Sequence, residues 1–499
     1  MRRVLVGACS IVALGMAVSA APGCGSDSNS EFDAGSSGTN GDGSACTGIA
    51  CGMGDTGAEA GCVGLQCMQI PCDTAGAKTT ISGTVYDPAG KVPIYNATVY
   101  VPNAPLADIP SGAKTCDRCD AAVSGNPIAI TATDTSGKFT LENVPVASNV
   151  PLVVQIGKWR RQVQIANVAK CVDTPIDATL TRLPKNRMEG NIPRIALSTG
   201  GADPLQCLLR KMGVDDAEFG VSGSDSRIHL YAGGGFTSGA TPEPASSKFG
   251  ASLNGGASYA SSETLWSSLA TLQNYDLVLL SCEGDENEST AGSAKPDASK
   301  QALYDYAKNG GRVFASHYHE VWFRKSPEAA VKTIATWADP ERQPPAVGGP
   351  PATTAVNADI STAFPKAMAM KDWLTNQNAL TAGKLPIFDA RHNVDAVNAG
   401  ALNWISLINT NVGNIPAVQY MSFNTPVGAA DDAVCGRVVF SNLHVGAGMQ
   451  GGVSDSPQAP FPDGCQTMDL SAQQKALEFM LFDLSSCVQK DDSAIVGPR

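Results

Sequence analysis

The sequence predicts a multidomain chain: a small all-β sandwich followed by a larger α/β domain with long insertions. Three observations predict it. Short alternating runs separated by turn residues fill positions 79–183, which is strand patterning. Longer continuous apolar runs, interleaved with capped helical stretches, fill 190–488, which is the signature of a mostly parallel sheet covered on both faces. The 51 Gly and 31 Pro among 499 residues favour strands and loops over helical bundles.

Composition narrows the function. Lys+Arg number 35 against 47 Asp+Glu, a net charge of -12, which excludes a general nucleic-acid binder with a basic footprint. Gly233-Gly234-Gly235 follows a strand, but no Gly-x-Gly-x-x-Gly or phosphate-loop helix does, so no nucleotide cofactor is expected.

Arg2 and Arg3 precede an apolar run from Val4 to Ala20, and Ala21-Pro22-Gly23-Cys24 follows. This resembles a bacterial lipoprotein signal, which implies that residues 1–23 are a signal peptide and that Cys24 carries lipid. Gly25 in place of Asp implies the outer membrane, with plain secretion as the alternative. Residues 24–45 (from Gly25, GSDSNSEFDAGSSGTNGDGSA) cannot bury enough apolar surface to order a backbone and read as a lipidated tether.

The chain has 15 cysteines. Export makes disulfides the expected state. Cys46, Cys51, Cys62, Cys67 and Cys72 crowd a Gly-rich stretch, 46–78, read as a stapled knot, with zinc as the rival reading. Cys116-Asp117-Arg118-Cys119 sits in a loop rather than at a helix start, so disulfide bonding is expected there instead of redox catalysis. An odd number of cysteines beyond Cys24 leaves at least one thiol without an internal partner.

Seven strands are expected in the sandwich: 81–87, 97–102, 127–134, 137–145, 151–157, 161–168 and 176–183. The phrases GTVYDPAGKVPIYNATVYV and ATDTSGKFTLENVP resemble the carboxypeptidase regulatory-like family of prealbumin-like sandwiches. That resemblance implies an accessory domain with no catalytic residues. The order of lipid cysteine, cysteine-rich linker, sandwich and long C-terminal region resembles large myxobacterial surface lipoproteins.

In the C-terminal region, strands are expected at 191–198, 226–233, 275–282, 312–317 and 436–444, and helices near 205–213, 262–272, 297–309 and 471–484. The pieces YDLVLLSC, NGGRVFASH and GRVVFSNLH resemble a class I glutamine amidotransferase-like or trehalose-utilisation-like domain of flavodoxin-like fold, with an insertion at about 325–430. In that family the nucleophile lies on the strand after YDLVLL, so the resemblance puts it near Ser316 and His317 rather than Cys282.

Ligands in such sheets bind beyond the carboxyl ends of the strands. Three candidate sites fall there. Cys282, His317 and His444 form a candidate catalytic set. Asp285, Glu286 and Glu288 follow Cys282, and like charge is expected to oppose its thiolate. His317, His319 and His444 form a candidate site for a divalent metal, no other cofactor being expected. Asp285, Tyr318, Glu320 and Trp322, with Trp373 and Trp404, form a candidate binding cleft. The expected function is a non-catalytic, surface-anchored lipoprotein that touches membrane lipid through Cys24 and binds a glycan or a protein. The alternative is a periplasmic or cell-surface hydrolase that uses the strand-end Cys/His or metal site.

Overall fold

The computed structural model describes residues 62–345, 355–444, 454–490 and 492. These lie in one compact unit, Glu59–Arg499. The signal, the tether, Cys24, Cys46 and Cys51 lie outside the described residues. Among the described residues no helix is long and apolar enough to cross a membrane. The chain is rich in β-structure, with several separate sheets and few helices.

The first half is a two-sheet sandwich. Strands Lys138–Glu142, Thr80–Thr84 and Asp173–Pro175 form one sheet, in that order. Strands Pro127–Ala132, Thr98–Pro102, Ser148–Ile156 and Trp159–Asn167 form the other. Alternation buries one face: in Lys138–Glu142 only Phe139 and Leu141 are buried. The expected last strand, 176–183, is instead the short helix Ala178–Thr181. Asp177 caps it by accepting a hydrogen bond from the Thr179 amide, so capping chemistry wins over alternation.

The second half is built on an 11-stranded sheet. Six neighbouring strands run parallel in the order Ala260–Ser261, Ile228–Ala232, Ile195–Ser198, Leu277–Leu280, Arg312–Ser316 and Gly436–Ser441. Four more continue it antiparallel: Ile415–Thr425, Ala401–Asn409, Val356–Ile360 and Leu385–Ile387. All four come from the stretch expected to be an insertion, so that stretch completes the sheet instead of decorating it.

Helix Asp297–Lys308 falls where periodicity puts it, though Pro296 at its N-cap supplies no side-chain cap. Helix Ala472–Ser485 starts at a capping box of Ser471 and Gln474. The stretch 262–272 is broken into Glu263–Trp266 and Leu269–Leu272, because Ser268 caps the second piece through the Thr271 amide.

The two halves share one apolar core, in which Ile81 and Val99 of the sandwich are continuous with Trp373 and Phe479. Tyr95 stacks on Phe479 with ring centroids 5.9 Å apart, and the Trp373 indole N–H donates to the Pro93 carbonyl at 2.7 Å. The hairpin tip Gly157-Lys158 reaches the same helix. Gly157 has φ +54°, and a Cβ there would lie 1.7 Å from the Ser485 carbonyl oxygen, so only glycine fits. Lys158 then reaches Asp276 of the large sheet at 2.6 Å, and Asp276 also accepts the amides of Gly112 and Arg194.

Five disulfides close the unit: Cys62–Cys67, Cys72–Cys171, Cys116–Cys435, Cys119–Cys487 and Cys207–Cys465. Cys72 therefore pairs outside its own cluster. The Cys-x-x-Cys pair is not bonded to itself; its two bridges pin the loop to the far strand and to the C-terminal segment. Cys282 is the free, buried thiol among the described residues. Peptide mapping without reduction is expected to return these five linkages, with Cys282 as a free thiol. A Cys116–Cys119 linkage would overturn this pairing.

Asp87 is buried where the sandwich meets the rest of the unit. One carboxylate oxygen accepts the Lys91 and Val92 amides, and the other has no partner. Burial pushes its pKa up to about 6, against the pull of those amides. A folded pKa above the unfolded value of about 3.9 means that stability is full below pH ~4 and is lost as pH rises through ~6. Asp87→Asn keeps the accepting oxygen and removes the charge. It is expected to raise unfolding stability by about 2–3 kcal/mol at pH ~8 and by nothing below pH ~4. Destabilisation at pH ~8 that fades below pH ~4 in denaturant titrations would show instead that the carboxylate serves as an anion.

Candidate functional site

Three neighbouring parallel strands end level with one another. Leu280 pairs with Ala315, and Ser316 pairs with Ser441. The residues just past those ends therefore share one edge, and Cys282, His317 and His444, one to three positions beyond the strands, come together there. Their donor atoms all lie within 4.8 Å of one another, and all three side chains are buried. The Cys282 sulfur is 3.3 Å from His317 Nδ1 and also accepts the Gly284 amide at 3.4 Å. The two imidazole centroids are 5.0 Å apart.

Each imidazole has a carboxylate on its other side. His444 Nδ1 donates to Asp389 at 2.9 Å, and Arg391 holds the second Asp389 oxygen at 2.8 Å. His317 Nε2 is 3.2 Å from Glu341, within ion-pair reach but not aligned as a hydrogen bond. Tyr318 donates to the other Glu341 oxygen at 2.7 Å. His317 adopts φ +46° at the turn from the strand Arg312–Ser316 into the helical segments His317–Glu320 and Val321–Arg324. A residue with a Cβ pays strain in that region, so the surrounding packing must hold it there. The geometry is a sharp strand-to-helix elbow with an imidazole at its tip.

The charges reinforce one another. Burial opposes ionisation of Cys282, but the positive imidazoles of His317 and His444 hold its thiol well below the ordinary value. Burial likewise opposes charge on the two histidines, and the thiolate with the two carboxylates raises both. Burial works against the Glu341 anion too, yet His317 brings its carboxyl down to about 2. Asp389 is lowered as well: His444 and Arg391 outweigh its burial. The expectation that acidic neighbours disfavour the thiolate is therefore corrected. Asp285 is exposed, Glu286 pairs with Arg324 and Lys325, and Glu288 pairs with Lys300 and Lys325. Those carboxylates spend their charge on cations away from the sulfur.

His319 does not join His317 and His444. Its Nε2 donates to the Ser281 carbonyl at 2.8 Å, and its Nδ1 accepts from the Trp322 indole at 2.8 Å. Both nitrogens are committed, and burial with the nearby Lys295 charge keeps the ring neutral. Nor do Asp285, Tyr318, Glu320 and Trp322 form a cleft. Asp285 is exposed, Tyr318 is half-buried, and Glu320 and Trp322 are buried, Trp322 against Trp266. Trp373 and Trp404 fill the core. A cavity of about 280 Å³ lies elsewhere, on the sandwich, lined by Asn96, Thr98, Gln155, Lys158, Arg160 and Cys487.

Asp389, Arg391 and Glu341 were invisible as site residues in the sequence. They sit in the insertion, Asp389 and Arg391 more than 50 residues from both His317 and His444 and Glu341 24 residues past His317, with no motif spacing to mark them. The phrase FDARH (388–392), polar residues just after a short apolar run, was the available signal.

No protein-family profile matches the chain, and no curated protein matches it. Among solved structures, a ThuA-like protein from Bacteroides uniformis is similar over 50% of this chain and 82% of its own, at 9% identity and a TM-score of 0.25. A type II cohesin–X-dockerin complex from Acetivibrio cellulolyticus is similar over 30% of this chain and 79% of its own, at 13% identity and a TM-score of 0.14. BcpA, the major pilin subunit of Bacillus cereus, is similar over 22% of this chain and 30% of its own, at 14% identity and a TM-score of 0.13.

His319 is read as a structural histidine. His319→Ala leaves the buried Trp322 indole N–H unpaired and is expected to cost about 2–4 kcal/mol of stability. It should leave the surroundings of Cys282 intact, so the rate at which a thiol reagent labels Cys282 in the folded chain should stay within about twofold of wild type. An unchanged melting temperature would overturn the structural reading of His319.

Proposed function

We propose that the chain is a lipid-anchored envelope hydrolase whose centre is Cys282, His317 and His444, borne on a flavodoxin-like α/β scaffold related to the trehalose-utilisation-like and amidotransferase-like proteins. One observation carries the reading: a single free thiol lies between two buried imidazoles, each backed by its own carboxylate. Burying so many ionisable groups in a merely structural place is costly, and clusters of shifted titratable groups concentrate at working sites. The strained elbow at His317 points the same way.

The arrangement suits hydrolysis because a carboxylate fixes the tautomer and orientation of each imidazole, as in general acid–base centres. A second reading, recognition of a glycan or another polar ligand by a surface-anchored binding protein, draws on the 280 Å³ cavity with its amide and cationic lining.

The test uses membranes from cells expressing the full chain, assayed against a panel of ester, amide and glycoside substrates. Turnover by wild type that falls at least about 100-fold in His444→Ala is the expected result. Cys24→Ser should move that turnover from the membrane to the soluble fraction. No turnover on any substrate class would leave the binding reading in place, and turnover that survives His444→Ala would move the centre elsewhere.

A further inference from the structure

We infer that Cys282, His317 and His444 together bind a divalent transition-metal ion of the zinc class, with Asp389 and Glu341 orienting the two imidazoles from behind. The inference rests on the reading above only in placing the working centre at these residues.

Four observations carry it. The first is the donor set. One thiolate sulfur and two imidazole nitrogens are the ligand types that zinc(II) takes, and three protein ligands leave a fourth position for water. The three donor atoms already lie within 4.8 Å of one another; tetrahedral bonds of about 2.0–2.3 Å need them roughly 3–4 Å apart, a closure of a side-chain rotation.

The second is the His444 nitrogen turned toward the sulfur. His444 Nε2, on a residue only 2% exposed, makes no aligned hydrogen bond, its contact being with the Cys282 sulfur, while its Nδ1 is tied to Asp389. In its neutral form an imidazole whose one nitrogen donates to a carboxylate presents the other as a lone pair, the form that ligates a metal.

The third is the shell behind the ligands. In both histidines the carboxylate faces the nitrogen turned away from the sulfur: Asp389 on Nδ1 of His444 and Glu341 on Nε2 of His317. That is the carboxylate–histidine arrangement that fixes ligating imidazoles and raises their basicity. Arg391 and Tyr318 in turn hold those carboxylates.

The fourth is burial, which favours a ligand over a nucleophile. Cys282 is 0% exposed, which suits a small ion better than attack on a substrate carbonyl.

The experiment uses the full chain extracted in detergent and incubated with zinc(II), desalted, and assayed for metal by mass spectrometry. The same protein is then loaded with cobalt(II) as a spectroscopic probe. Stoichiometric zinc is expected in wild type, lost in Cys282→Ser and in His444→Ala. Asp389→Asn should weaken binding by about 10–100-fold. His392→Ala, whose ring is tied to Asp395 and Asn409, should retain the metal. Because ligand variants can misfold, the wild-type cobalt form decides independently: a thiolate-to-cobalt charge-transfer band that alkylation of Cys282 abolishes is required. Absence of both bound zinc and that band overturns the inference. Turnover with neither bound zinc nor the band overturns the inference and leaves the hydrolase standing; bound zinc with the band but no turnover does the reverse.

Discussion

The register of three parallel strands is the constraint on which the rest depends. Strands Leu277–Leu280, Arg312–Ser316 and Gly436–Ser441 pair without slippage, so they reach their carboxyl ends together. A shift of one residue in any of them would turn its apolar side chains to the opposite face and carry its terminal polar residue away from the others. Apolar packing on both faces of these strands, where every residue is buried, therefore does more than stabilise the sheet. It sets a thiol and two imidazoles side by side from positions 35 and 127 residues apart in the chain.

That juxtaposition is electrostatically expensive unless it is compensated, and the compensation comes from the antiparallel extension. Asp389 follows strand Leu385–Ile387, and Glu341 lies between strand Ala335–Trp337 and the extension. Neither carboxylate could be supplied by the parallel strands, whose ends already carry the three central groups. Asp389 holds a positive φ of 53° where its carboxylate meets His444, so the centre carries backbone strain at Asp389 as well as at His317. The long stretch between Arg324 and Gly436 is thus tied to the centre by chemistry as well as by strand pairing.

What the sequence made legible follows from how local each signal was. Six of the seven expected sandwich strands, the helices at 297–308 and 472–485, and the strands leading to 282, 317 and 444 were readable, because each depends on alternation, periodicity or a capping residue within a few positions. Cys282 and His317 were named, but their mutual effect was misjudged. The carboxylates close in sequence, Glu286 and Glu288, turned out to be paired with Arg324, Lys325 and Lys300. The cations that matter to the sulfur came from other strands. Sequence adjacency is a poor guide to Coulomb distance wherever a chain turns sharply. His319 shows the same limit: two positions from His317, it would share its face if the strand continued, but the strand ends at Ser316 and a single helical turn sends the two rings apart.

The disulfides show why the two halves behave as one body. Cys116 and Cys119 leave the sandwich on one loop and meet Cys435 and Cys487, just before the strand Gly436–Ser441 and just after the helix Ala472–Ser485. Those two elements flank His444 in sequence. Closing loops of 319 and 368 residues removes much of the freedom of the unfolded chain, by a few kcal/mol each. It also limits how far the strand that delivers His444 can slide against its neighbours. The sandwich, joined to the same helix by Tyr95 on Phe479 and by Gly157 against Ser485, adds an apolar contact in the same direction. The sandwich thus contributes to the centre mechanically, by holding the one strand whose terminal histidine must stay in line with Cys282 and His317.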